Sequence, residues 1–169
     1  MRFLKLALPL LILILGSCGY QLTTKRANAG DGRNIAVPTF TNATTTYRVE
    51  QRLSESLRRE LVQRTKYKVV SGDSGDVLVT GEVVSYGASP STIISGRASS
   101  YIISVGVRIV VTDTRSGEIL YQNPNMRFQE NFEMAPNSVQ FVPEEPAAVD
   151  RVAATFASSL VASLINRNP

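Results

Sequence analysis

The chain has 169 residues, 43% of them hydrophobic and 19% charged, proportions that suit one folded body with a core of ordinary size and leave little room for two. Lys and Arg outnumber Asp and Glu by 18 to 14, but Arg2 and Lys5 precede the single cysteine, Cys18, so the remainder carries 16 against 14, a surplus that carries no nucleic-acid signature. The absence of histidine and of a second cysteine removes the usual zinc ligand sets, Ser-His-Asp and Cys-His catalysis and any intrachain disulfide.

The first predicted element is a leader. Arg2 and Lys5 give it a basic start, and Leu6 to Leu15 is an unbroken run of Leu, Ile, Ala and Pro, the anatomy of a secretory signal. It is too short to stay as a membrane span, which needs roughly 20 apolar residues. Leu15-Gly16-Ser17-Cys18 then resembles a bacterial lipobox. That resemblance implies cleavage before Cys18, acylation of its thiol and amine, and permanent anchoring, since a single myristoyl-length chain gives only marginal membrane binding. Gly19, where an Asp tends to retain lipoproteins at the inner membrane, implies the outer membrane. Residues 1–17 are thus expected as signal, and residues 18–34 as the lipidated cysteine with a polar, flexible tether. Residues 35–169 are expected as one domain.

Within that domain, Ile35 to Phe40 reads as a short strand, with Pro38 marking an edge or its end. From Tyr47 to Thr65 the apolar residues Val49, Leu53, Leu57 and Leu61 recur every four places among charged neighbours, which predicts an amphipathic helix with one of Thr44, Thr45 and Thr46 as its cap. Its basic run is read as a solvated face with pairs such as Glu55 with Arg59 and Glu60 with Arg64. Short and longer strands follow at Tyr67 to Ser71 and Asp76 to Tyr86. Gly87 to Ser100 is small and polar apart from Ile93 and Ile94, so it is expected as a mobile loop or a pair of weakly paired strand ends.

Tyr101 to Thr112 is the clearest strand. Tyr101, Ile103, Val105, Val107, Ile109 and Val111 share one face, which must be core. A turn at Asp113 to Glu118 leads to strand pieces at Ile119 to Asn123 and Met126 to Met134, the latter with Glu130 on its apolar side. Glu144 to Asn166 repeats Val149, Val152, Phe156, Leu160 and Leu164 at helical spacing. Strand, helix, several strands and a second helix predict an α+β fold: a two-layer sandwich with a mixed sheet of about four strands and both helices on one face. The other face is left open, with Thr80, Glu82, Ser104, Arg108 and Thr112 on or near it.

No phosphate-binding glycine loop or dinucleotide fingerprint occurs, and the acidic pairs Glu144-Glu145 and Glu130-Glu133 suit structural roles better than catalysis. Neither a catalytic residue, a metal site nor a cofactor is called for. Two cations are singled out as candidate binding residues. Arg97 is the lone charge of Gly87 to Ser100 and stands near two isoleucines, a combination suited to an amphiphile with a phosphate at one end and acyl chains at the other. Arg108 faces away from the core on the best strand.

The order and spacing of CGYQL (18–22), IAVPTFTN (35–42), YRVEQRLSESLRRELVQRTKYKVV (47–70), GRASSY (96–101), DTRSGEILY (113–121) and FQENFE (128–133) resemble the LptE family of lipopolysaccharide-assembly lipoproteins. This implies a non-enzymatic outer-membrane lipoprotein on the periplasmic face. Its partner would be the β-barrel LptD, which it plugs and helps to assemble, and it would bind lipopolysaccharide through basic residues. IAVPTFTN followed by a helix also resembles the opening of curli-secretion and cell-wall-synthase-activator lipoproteins, so a regulator of cell-wall synthesis or a member of a secretion assembly is the alternative.

Overall fold

The computed structural model describes residues 32–46, 48–133 and 144–167. The leader, Cys18 and nearly all of the expected tether lie outside the described residues. The chain forms β1 (Asn34–Ala36), β2 (Thr41–Asn42), α1 (Val49–Arg64), β3 (Lys68–Val70), β4 (Val77–Ile94), β5 (Arg97–Asp113), β6 (Ile119–Glu133) and α2 (Glu144–Arg167). It is a mixed α+β fold with two helices and an open six-stranded sheet in the order β3-β1-β4-β5-β6, the short β2 pairing with β4. The expected count of about four strands is therefore too low. Pro38, which has no N–H to donate, ends β1 two residues after Ala36, and the chain re-enters the sheet as β2. The strand expected over Ile35 to Phe40 is therefore shorter, ending at Ala36, and β2 lies just beyond that span.

The pairings are mixed, as expected. β1 lies parallel to β3 and β4, while β4, β5 and β6 are antiparallel neighbours. α1 supplies the crossover that a parallel β1–β3 pair requires. Its stripe of Val49, Leu53, Leu57 and Leu61 is buried, as is that of α2 with Val149, Val152, Phe156, Leu160 and Leu164. The helices pack on each other and join the sheet in one hydrophobic cluster with Val77, Val79, Val83 and the odd residues Ile103 to Val111 of β5. α2 has the length and hydropathy of a membrane span, yet half of that window is buried within the fold; it is a core helix. Phe156 stands at the centre, edge-on to Phe40 (centroids 5.9 Å apart) and to Phe128 (5.7 Å). The Phe40 ring in turn lies over Gly81, where a Cβ would come within 2.7 Å of the ring, so the sheet must be bare at that point.

Among the register shifts along β4, β5 and β6, two bear on the faces expected from the sequence. Val83 pairs with Val107 but Ser85 with Gly106, so Val84 is the extra residue. Beyond it the alternation of β4 is reversed, and Tyr86 instead of Ser85 turns toward the helices. On β6, Met126 pairs with Val107 and Asn123 with Ile109, leaving Pro124 and Asn125 opposite Arg108. A proline is tolerated there because β6 is an edge strand and the ladder is already interrupted. One continuous strand thus replaces the two expected pieces. Glu130, the acid on the apolar side, is neutralised by Arg151 of α2 at 2.6 Å.

None of the three threonines caps α1. Asn42 orders the approach by accepting from the Thr44 N–H and donating to the Thr46 carbonyl and the Glu50 carboxylate, each at 2.8 Å. The cap position falls on Arg48, in a left-handed conformation with no side-chain cap bond. The expected Glu60–Arg64 pair forms at 3.1 Å.

At the end of the sheet where β1 and β4 begin, Arg33 pairs with Asp113 and Arg115 with Asp76, both at 2.5 Å. The Asn34 N–H and then Arg115 hold the Asp76 carboxyl below the usual carboxylate range; Arg33, followed by the Arg115 and Ser116 N–H groups, does the same for Asp113. Depressed folded-state values mean that this stabilisation is present above the ordinary carboxyl pKa of about 4 and is lost as pH falls through the lower folded values. The urea midpoint of the chain is expected to drop between about pH 5 and about pH 3, and the Asp76→Asn/Asp113→Asn double variant to show a shallower drop. Phe156→Ala is expected to cost about 3–5 kcal/mol in urea unfolding at neutral pH, because the vacated volume borders two other aromatic rings that cannot both collapse into it.

Candidate functional site

Of the two forms expected for Gly87 to Ser100, a loop or paired strand ends, the chain takes the second: the segment is the outer part of a long β4–β5 hairpin. Ile93 pairs with Ala98 and Ile94 with Arg97, and the two linking residues, Ser95 (φ 51°) and Gly96 (φ 75°), both adopt positive φ. That is the geometry of a two-residue type I′ connection, whose twist matches the strands and for which glycine at the second place is well suited. Small and polar residues here form a ladder because cross-strand pairing continues without a core beneath it, aided by a Ser91–Ser100 hydroxyl contact at 2.8 Å. Ile93 and Ile94 are 67% and 62% exposed.

Arg97 sits opposite Ile94 at this tip and is exposed, and it makes no ion pair or side-chain hydrogen bond among the described residues. Cation and aliphatic surface are therefore presented together, as an amphiphile would require. Arg108 is different. It lies on the open face, opposite Glu82 in the β4–β5 register, and is ion-paired with that residue, so much of its charge is already answered. Arg108 stands eleven residues after Arg97 along β5, about 36 Å at roughly 3.3 Å per residue. They do not form one site.

The open face holds another cation that sequence reasoning passed over. Arg127 is exposed and stands opposite Gly106, next along from Arg108, with no ion pair among the described residues. Its outward direction follows from the apolar Met126 and Phe128 on either side, but its place beside Arg108 depends on the β5–β6 register. Nearby, the Gln129 amide donates to the Ser104 hydroxyl at 2.9 Å. Among the described residues the face is polar, weakly basic and without a general acid–base pair. Among the described residues no group of three His, Cys, Asp or Glu could hold a metal ion.

Two contacts fix the root of the hairpin. The Tyr86 hydroxyl donates to the Glu145 carboxylate of α2 at 2.5 Å, and burial, followed by that carboxylate, pushes the phenol well above its ordinary value. It stays protonated and serves as a strut. Arg151 adds a bond to the Asn131 carbonyl at 3.0 Å, joining α2 to β6.

Comparison with known proteins extends this description. In a search of curated proteins by sequence, none matches the chain. Among solved structures, a protein from Xanthomonas campestris shares the fold with a TM-score of 0.57 at 12% identity, covering 80% of this chain and 86% of that one. An uncharacterized lipoprotein B from Nitrosomonas europaea is similar with a TM-score of 0.54 at 12% identity, covering 85% and 88%, and a PelC dodecamer from Paraburkholderia phytofirmans with 0.51 at 14%, covering 80% and 89%. These likenesses concern the fold. The family model of LptE, lipopolysaccharide assembly, matches residues 32–164, nearly the whole described body from β1 into the last turns of α2, and the chain belongs to that family.

Proposed function

We propose that the protein is a non-catalytic lipoprotein of lipopolysaccharide assembly, moored by an acylated Cys18 on the periplasmic face of the outer membrane. In this reading its body, a two-layer sandwich with both helices on one face, sits inside an LptD-like β-barrel as a plug and assists both assembly of the barrel and delivery of lipopolysaccharide. The observation that carries it is the family match over residues 32–164, joined to a hairpin that offers Arg97 opposite Ile94 and near Ile93, both exposed. A polar open face suits the wall of a wide barrel, whose interior is polar. Arg97 is the first candidate for contact with a lipid phosphate. Arg108 is the second, acting through or in exchange for its bond to Glu82.

The competing reading, a lipoprotein of a secretion or cell-wall assembly, draws on the fold shared with a dodecameric protein. Copurification from detergent-solubilised outer membrane separates the two. A single outer-membrane barrel as the main partner is expected, whereas a homo-oligomeric ring or a peptidoglycan synthase would replace the first reading with the second. In the same preparation, the Cys18→Ala chain is expected to leave the membrane fraction while keeping its circular dichroism spectrum; tight retention after signal cleavage would contradict the anchor. Arg97→Glu is expected to weaken binding of lipopolysaccharide micelles at least about 10-fold, the loss of one charge-assisted contact plus an added repulsion. Arg115→Glu, at the opposite end of the sheet, is expected to leave it within about twofold. Equal effects would end the case for the hairpin tip.

A further inference from the structure

The end of the sheet remote from the hairpin contains a cavity of about 400 Å³ lined by Ile35, Tyr67, Val77, Val111, Ile119, Leu120 and Leu164, with Glu118 as its one charged group. This is the size range of sites that accept a ligand or large side chains. Most of its lining residues are apolar, although polar and apolar atoms share its surface about equally; Ile119 is 54% exposed, and the Glu118 carboxylate makes no ion pair among the described residues. We propose that the cavity seats Tyr20 and Leu22 of the chain's own amino-terminal segment, residues outside the described ones.

Three observations select that occupant. Gly32, the first of the described residues, stands three before Ile35, which lines the cavity. The segment Gly19 to Asp31 contains only two large apolar residues, Tyr20 and Leu22, spaced so that both fall on one side of an extended backbone. Gly32 stands ten residues after Leu22, a reach of up to about 34 Å, and Ala29-Gly30-Asp31-Gly32 supplies the residues that a reversal needs. Charge agrees with position as well, because Lys25 and Arg26 lie between the apolar pair and the body, where Glu118 is the unanswered acid. Seating the pair covers Ile119 and gives that carboxylate a counter-charge. The inference does not depend on the partner or ligand proposed above.

The test uses the full chain purified in detergent. A Leu22→Cys/Ile119→Cys variant is expected to form its disulfide under mild oxidation, identified by peptide mass spectrometry, while Leu22→Cys/Ile93→Cys is not. In the unsubstituted chain, amides 20–24 are expected to exchange at least about 10-fold more slowly than an unstructured peptide, and Leu22→Asp is expected to abolish that protection and to raise binding of the apolar dye anilinonaphthalene sulfonate. Equal cross-linking of the two pairs, or unprotected amides at 20–24, would overturn the proposal. So would dye binding by the unsubstituted chain equal to that of Leu22→Asp, which would mark the cavity as open for a different apolar occupant.

Discussion

A helix advances about 1.5 Å per residue and a strand about 3.3 Å, and this difference governs the molecule. α2, the longer helix, has 24 residues and spans about 36 Å; β4 has 18 and spans about 60 Å. A helix layer of this length covers only the lower part of its sheet. Where it ends, the strands either stop or continue without a core, and β4 and β5 continue. The division into a packed body and a bare hairpin is thus a consequence of arithmetic between two kinds of backbone.

Continuing without a core changes what side chains are for. In the body, buried Val, Ile and Leu supply the stabilisation and ion pairs answer charges around the core: Arg33 with Asp113, Arg115 with Asp76, Arg151 with Glu130 and Arg108 with Glu82. Along the hairpin the backbone ladder, a few hydroxyl contacts and a type I′ turn hold the chain, so Ile93, Ile94 and Arg97 are free to be chosen for contact with something else. The Val84 bulge marks the transition. By reversing the alternation it turns Tyr86 toward Glu145, and that single bond ties the uncovered strands to the first turn of α2.

Periodicity alone revealed the parts whose burial is one-sided. The alternation of β5 and the stripes of α1 and α2 name their core residues correctly, because each repeats a single orientation over many residues. It failed where orientation is reset. The phase change at Val84, the bulge at Pro124 and the break at Pro38 each come from backbone pairing, which leaves only a faint trace in composition. The hairpin could not be told from a loop because Gly, Ser, Pro and Thr signal turns, and a ladder lacking a core offers no apolar rhythm to set against that signal. Arg97 could be singled out by its isolation among small residues. Arg127 could not, since its significance depends on standing opposite Gly106, and register is a property of two strands read together. Nor could Glu130 be explained before Arg151 was placed above it.

The projecting hairpin also has a bearing on how such a protein can vary. Adding or deleting residues in matched twos, one pair on each arm, leaves the turn, the bulge and every buried contact as they were, and moves the tip outward or inward by about 7 Å per step. Reach is consequently a quantity that insertion and deletion can tune almost independently of folding stability, while a single unmatched residue would instead swap the outward and inward rows of the whole distal ladder.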